Sequence, residues 1–255
     1  MYTKELTFAK TIIKNTYLSL IDVPLEIMDK GDFDTVTNID YAVEKALITA
    51  IKKAFPSDHI ISEEFNPDAK VKGRTWVIDP IDGTVNFARQ NAYFGIQLAF
   101  FDRNEVVLSY MYFPRLNEEY YALKGHGVFR NDIKLERTSR PVAHMIMSFS
   151  DFFVYDEVSN RFVEKIFLGV KDTIFRTRLQ GSAAIDFSFV ASGINDALVL
   201  RTNNLWDLAP GFLMMQELGC TVVNEKLMPY TFSDFALIAF NNDELLTLLK
   251  SIIYN

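Results

Sequence analysis

The chain has 255 residues, 49 % of them hydrophobic, with 22 Phe and a formal net charge of −7. That length and apolar content support one large domain or two modest ones with well-filled cores and argue against disorder. The acidic balance argues against binding along a nucleic-acid polymer, which needs a basic face, but leaves phosphorylated substrates open because metal ions supply positive charge locally.

The first residues, Met1-Tyr2-Thr3-Lys4-Glu5, interleave charge with apolar side chains and read as no secretory signal; no apolar run reaches membrane-spanning length. Leu6, Ala9, Ile12, Ile13 and Leu20 recur at helical spacing between about Thr3 and Ile21. A second helical pattern starts near Asn38 and continues through Tyr41, Val43, Leu47, Ile48 and Ile51. Between them Asp29-Lys30-Gly31-Asp32-Phe33-Asp34 reads as a polar turn. The runs His59–Ser62 and Thr75–Ile78 read as strands, each ending directly in carboxylates. Further β-like runs follow at Phe94–Phe101, Val106–Tyr112 and Glu119–Leu123, and Gly125-His126-Gly127 reads as a hairpin turn. After about Pro141 strands and helices alternate. Helices are predicted around Val158–Leu168, Ala183–Ala191 and Trp206–Leu218, strands at Ala197–Leu200, Thr221–Val223 and Ala236–Ala239, and a helix closes the chain. The change of rhythm divides the chain into an α+β half over residues 1–140 and an α/β half over 141–255. One cysteine, Cys220, excludes an internal disulfide framework and a Cys-rich zinc site. A soluble cytoplasmic protein with no membrane partner is the expectation.

Chemistry gathers where strands end. Asp79 and Asp82 follow Trp76-Val77-Ile78, with Pro80 and Ile81 between them. Pro80 fixes its own φ and holds Asp79 extended. A turn here can aim both carboxylates and the Ile81 carbonyl at one point, and these are the oxygen donors that Mg²⁺ takes. Gly83 lets the backbone approach a ligand, and Thr84 offers a hydroxyl and an amide. If a helix begins there, its free amides form an anion site beside the metals. The same stretch can equally be an Asp-rich turn that caps a helix. Other acids occupy similar places: Glu63-Glu64 ends the His59–Ser62 strand, and Asp207 opens a helix far along the chain. Spacing alone does not bring the four together.

Five blocks carry a family resemblance: Asp34-Thr35-Val36-Thr37-Asn38-Ile39-Asp40, Ser62-Glu63-Glu64, the long stretch Trp76-Val77-Ile78-Asp79-Pro80-Ile81-Asp82-Gly83-Thr84-Val85-Asn86-Phe87, Gly181-Ser182-Ala183-Ala184, and Trp206-Asp207. In that order they resemble the inositol monophosphatase family, within the Mg²⁺-dependent, lithium-sensitive phosphatases. The resemblance implies a layered αβαβα sandwich of the inositol monophosphatase/fructose-1,6-bisphosphatase type, a homodimer, and a site between the two halves. It implies hydrolysis of small phosphorylated, inositol-monophosphate-like metabolites by metal-activated water, with about two or three Mg²⁺ per site. Glu63, Asp79 and the Ile81 carbonyl then resemble ligands of a first ion, Asp79, Asp82 and Asp207 those of a second, and Glu63 reaches a third through waters. Gly83 and Thr84 resemble the phosphate cradle; Ile81, Asp82, Gly181, Ser182, Ala183, Arg201 and Asp207 fall with them at the substrate. Asp40 and Thr84 resemble the pair that orients and helps deprotonate the attacking water, with Glu63 as their catalytic companion.

The match has departures. The family usually carries a Lys five residues before the position of Asp34, where this chain has Asp29; Lys30 either takes over that place or is a solvated loop charge. The acid that holds sugar-ring hydroxyls, seven positions before Asp207, is replaced by Leu200, which accepts no hydrogen bond. Arg201 beside it either meets a second phosphate or carboxylate or is an exposed strand-end charge. Leu205, Val85 and the compact segment Glu225–Ser233 alter only the rim. His59, His126 and His144 match no catalytic position, and the aromatic pairs, Phe152-Phe153 among them, read as packing. Fructose 1,6-bisphosphate, NADP(H) and 3′-phosphoadenosine 5′-phosphate are alternative substrates for the same chemistry; a non-catalytic metal- or phosphate-binding protein is the alternative of another class.

Overall fold

A computed structural model describes residues 2–31, 34–152, 154 and 156–254. Helix α1 (Thr3–Leu20) turns Leu6, Ala9 and Ile13 inward, and α2 (Asn38–Ala54) turns Val43, Leu47 and Ile51 inward, which is the spacing seen in the sequence. Both pack on one face of a seven-stranded sheet whose strands lie side by side in chain order: β3 (His59–Ser62), β4 (Thr75–Asp82), β5 (Gly95–Asp102), β6 (Glu105–Phe113), β7 (Glu118–Leu123), β8 (Gly127–Arg130) and β9 (Ile133–Lys134). Side chains alternate across it: Trp76 and Ile78 of β4 meet α1 and α2, whereas Val77 faces α5 (Ala183–Ala191) and α6 (Leu205–Glu217).

The second sheet has the order β11 (Arg176–Leu179), β10 (Ile146–Phe149), β12 (Ala197–Leu200), β14 (Leu237–Phe240), β13 (Thr221–Val223). Strand β10 is parallel to both its neighbours. Leu198 and Leu200 of β12 join the α5/α6 core, while Ala197 and Val199 face α4 (Glu157–Val170) and α7 (Glu244–Ile253). The layers therefore run α1/α2, seven strands, α5/α6, five strands, α4/α7, the expected αβαβα sandwich. Strands buried on both faces explain the unbroken apolar runs of β4 and β5.

Three local expectations change. The polar turn at Asp29–Asp34 belongs to a hairpin, β1 (Ile27–Gly31) antiparallel to β2 (Asp34–Thr37); Val36 and Thr37 are both buried at its α2 end while Ile27 and Met28 are both exposed, so burial does not alternate along the ribbon and leaves no period-two pattern. Asp32 and Phe33, like Phe153, lie outside the described residues. Strand β4 does not stop at Ile78 but continues through Pro80 to Asp82, because its register with β5 shifts between Asp79 and Asp82 and a bulge accommodates the missing proline N–H. The short β8 and β9 escape the sequence patterns because neither is long enough to show a period, whereas α3 (Thr84–Ala88) begins where a helix start after Gly83 is one reading of the sequence.

The middle helix layer is packed to contact. A Cβ added at Gly211 of α6 would lie 2.0 Å from the Phe187 ring of α5. Gly211→Ala is therefore expected to overpack this layer at a cost of roughly 1–3 kcal/mol, read as a thermal midpoint several degrees lower in circular dichroism. An unchanged midpoint would show that α5 and α6 part freely.

Candidate active site

The bulge in β4 places Asp79 and Asp82 on either side of Pro80-Ile81, and the first turn of α6 brings Asp207 to them. One carboxylate oxygen from each of the three lies within 4.8 Å of the others. Burial raises all of them, and like charge adds to it at Asp79 and Asp207. Asp79 stands well above the usual carboxylate range, through burial first and then Glu63, Asp82 and Asp207. Burial followed by Asp82 pushes Asp207 up to about 7, and burial pushes Asp82 up to about 6. Glu63, at the end of β3, is pushed up to about 9 by burial, then by Asp207 and Glu64.

Each acid is held by dipoles. Asp82 accepts from the Ser182 hydroxyl and from the amides of Ala183 at 3.2 Å and Ala184 at 2.9 Å, at the positive end of α5. Asp79 Oδ2 accepts from Gln97 Nε2 at 3.1 Å, its register partner on β5. Asp207 Oδ2 accepts from Thr202 Oγ1 at 2.7 Å. Asp79 Oδ1 is buried and finds no hydrogen-bond partner among the described residues. An unpartnered carboxylate oxygen beside two further carboxylates is the donor set of a hard divalent cation, so these residues fit Mg²⁺.

A second group adjoins the acids. Thr37 caps α2, and Asp40 closes the capping box by accepting the Thr37 amide at 3.0 Å and the Thr37 hydroxyl. The other Asp40 oxygen accepts Thr84 Oγ1 at 3.2 Å, and burial pushes its carboxyl up to about 6. Thr84 Oγ1 also lies 2.9 Å from the Ile81 carbonyl; with one proton it serves one acceptor at a time. Gly83 has φ +84°, and a Cβ there would sit 3.0 Å from both the Tyr93 carbonyl and Ser182 Cβ, so glycine alone fits.

The remaining sequence candidates divide between this centre and its surroundings. Gly181 is tied to α3 by Asn86 Nδ2, which reaches the Gln180 and Gly181 carbonyls at 2.8 and 3.3 Å. Ser182 and Ala183, placed at the substrate by resemblance, direct their polar groups to Asp82. Lys30 Nζ stands 2.8 Å from Glu64 and 3.8 Å from Glu63, over the acids. Leu200 is 3 % exposed and belongs to the middle core. Arg201 lies 4.3 Å over the Phe235 ring, with Nη2 3.9 Å from Asp156 at the start of α4. Sequence reasoning missed Gln97, Thr202 and Glu44. Gln97 had a signal as the polar residue inside an apolar strand, and Glu44 as the acid four residues after Asp40 on a buried helix face.

The model of the inositol monophosphatase family matches residues 5–254. The chain is 33 % identical over 202 residues to the inositol-1-monophosphatase of Bacillus subtilis, covering 78 % of this chain and 76 % of that protein. It is similar to the solved Thermotoga maritima IMPase with a TM-score of 0.85 at 28 % identity, covering 100 % of this chain and 99 % of that one. A crystal structure of an IMPase/NADP phosphatase complexed with Mg²⁺ and phosphate is similar with a TM-score of 0.80 at 28 % identity, covering 98 % and 93 %.

Because Leu200 points into the core, Leu200→Glu is expected to destabilise the fold by several kcal/mol, the order of a buried unpaired charge, in a urea titration. Wild-type stability in that variant would place residue 200 outside the core.

Proposed function

The chain belongs to the inositol monophosphatase family and is a metal-dependent phosphomonoester hydrolase, and on that premise we propose that it releases phosphate from small phosphorylated polyols and related metabolites, with Mg²⁺ as its metal. The observation that carries this reading is the unpartnered Asp79 Oδ1 within the Asp79–Asp82–Asp207 cluster. Glu63, Asp79, the Ile81 carbonyl, Asp82 and Asp207 would hold the ions. When bound, they supply the positive charge that screens phosphoryl oxygens and stabilises the departing alkoxide.

The chain's own groups do the rest. Thr84 Oγ1, while its proton is shared with Asp40 Oδ1, presents lone pairs that hold and orient a water. As that water attacks, its proton passes to Thr84 Oγ1 and the threonine proton to Asp40 Oδ1, a relay set up by the 3.2 Å contact. The backbone turn at Gly83 leaves the first amides of α3 without intrahelical acceptors, available to a phosphoryl oxygen. Ser182 Oγ is spent as the cap of α5, accepting the Ile185 amide at 3.2 Å while it donates to Asp82, so water attacks phosphorus directly and no phosphoenzyme forms. Among the described residues no helix is long and apolar enough to cross a membrane, in keeping with a cytoplasmic substrate.

Assays of inositol 1-phosphate, fructose 1,6-bisphosphate, NADP and 3′-phosphoadenosine 5′-phosphate are expected to show Mg²⁺-dependent phosphate release from at least one. Measurable Mg²⁺ binding with no release from any would assign a non-catalytic binder instead. Chiral phosphate should be released with inversion; retention, or a trapped covalent phosphate, would rule out direct attack. Asp79→Asn relieves crowding among the buried carboxylates. It should raise the metal-free melting temperature while abolishing turnover and the stabilisation that Mg²⁺ confers, and scanning calorimetry with and without Mg²⁺ checks both.

A further inference from the structure

Helix α2 touches the site twice. Asp40 in its first turn meets Thr84, and Glu44 follows one turn on, about 6 Å along the axis. Glu44 is fully buried beneath the turn that follows β3. Its two carboxylate oxygens accept separate main-chain amides, Glu64 N at 2.9 Å and Phe65 N at 2.7 Å. The turn also closes on itself: Ser62 and Asn66 exchange backbone hydrogen bonds at 3.4 and 3.2 Å, and Asn66 Nδ2 reaches Ser62 Oγ at 3.1 Å. Tyr41, again from α2, sets its ring 5.8 Å from that of Phe65. Glu63 heads this turn, its amide extending the β3–β4 ladder to the Ile78 carbonyl at 3.3 Å.

We propose that Glu44 is a positioning residue for the metal-binding acids. It fixes the Glu63–Glu64 turn through two amides, and through the shared helix it sets that turn's distance from the Asp40–Thr84 pair. The inference rests on the reading of Glu63 as a Mg²⁺ ligand. Glu44 acts through the main chain, and its chemistry is specific to a carboxylate. A glutamine of the same shape offers one oxygen and one NH₂ group, and the NH₂ would face an amide N–H. An aspartate keeps both oxygens but falls one methylene short of the turn.

Glu44→Gln is expected to bind Mg²⁺ about ten-fold more weakly by calorimetry, as loss of an outer support does at metal sites. The Mg²⁺ concentration for half-maximal activity should rise by a similar factor, with kcat at saturating Mg²⁺ little changed. In metal-free protein, hydrogen exchange of amides 63–66 should quicken by about the same factor, since these are local openings. Leu249→Ala, in the fully buried α7 core, is the stability control and should leave Mg²⁺ affinity and that exchange unchanged. Should Glu44→Gln fail to fold, Glu44→Asp gives the same readouts. Wild-type Mg²⁺ affinity together with unaltered exchange at 63–66 overturns the proposal. A wild-type chain that binds no Mg²⁺ overturns the reading of the site instead, and the metal-free exchange still decides whether Glu44 holds the turn.

Discussion

Three carboxylate oxygens, two from β4 and one from α6, lie within 4.8 Å of one another in a setting that excludes most water, and among the described residues no buried arginine answers them. The protein answers with dipoles: the Gln97 amide, the Thr202 hydroxyl, and the Ser182 hydroxyl with the first amides of α5. Dipoles orient an acid without cancelling its charge. Lys30 comes near, and it stands on Glu64 and Glu63 rather than among the three aspartates. A guanidinium in the cluster would have made the crevice stable and inert. Orientation without neutralisation leaves the charge for a divalent ion and its phosphate to complete.

Holding such a cluster requires rigid supports on every side. Strand β4 is buried along its whole length, and its two faces belong to different cores. The α5/α6 layer is shared by both sheets, so the Asp82 donors and Asp207 itself come from helices that cannot shift without disturbing the seven-stranded sheet. The close approach of Gly211 to Phe187 belongs to the same economy of space.

The sequence disclosed this centre unevenly, for reasons that lie in particular residues. Asp79 to Thr84 could be read because a proline, a glycine and two acids in six positions restrict the backbone severely. Left alone, that stretch was also compatible with a helix cap; the structure gives Gly83 the capping position with no side-chain bond and turns the acids inward. Leu200 looked like a lost substrate contact. Strand parity explains it better, since Leu198 and Leu200 share the face that meets α5 and α6. Lys30 could not be placed because its position depends on a hairpin whose strands, five and four residues long, are too short to carry a period. Glu44 was hidden for the opposite reason: one acid on an otherwise apolar helix stripe looks like an exception until its two amide partners, more than fifteen residues away, are known.

Asp207 enters the cluster from the first turn of α6, after every other acid of the centre has been laid down between residues 40 and 82. The centre is thus assembled from contacts of very long sequence separation, the kind formed late because loop closure must come first. A nascent chain with the large sheet already paired carries Asp79 and Asp82 but lacks the third acid of the cluster and the α5 amides that orient Asp82. On the proposed reading of this centre, metal capture is a report on completed folding: the ability to hydrolyse arrives only when the last third of the polypeptide has docked, and partly made molecules stay chemically silent.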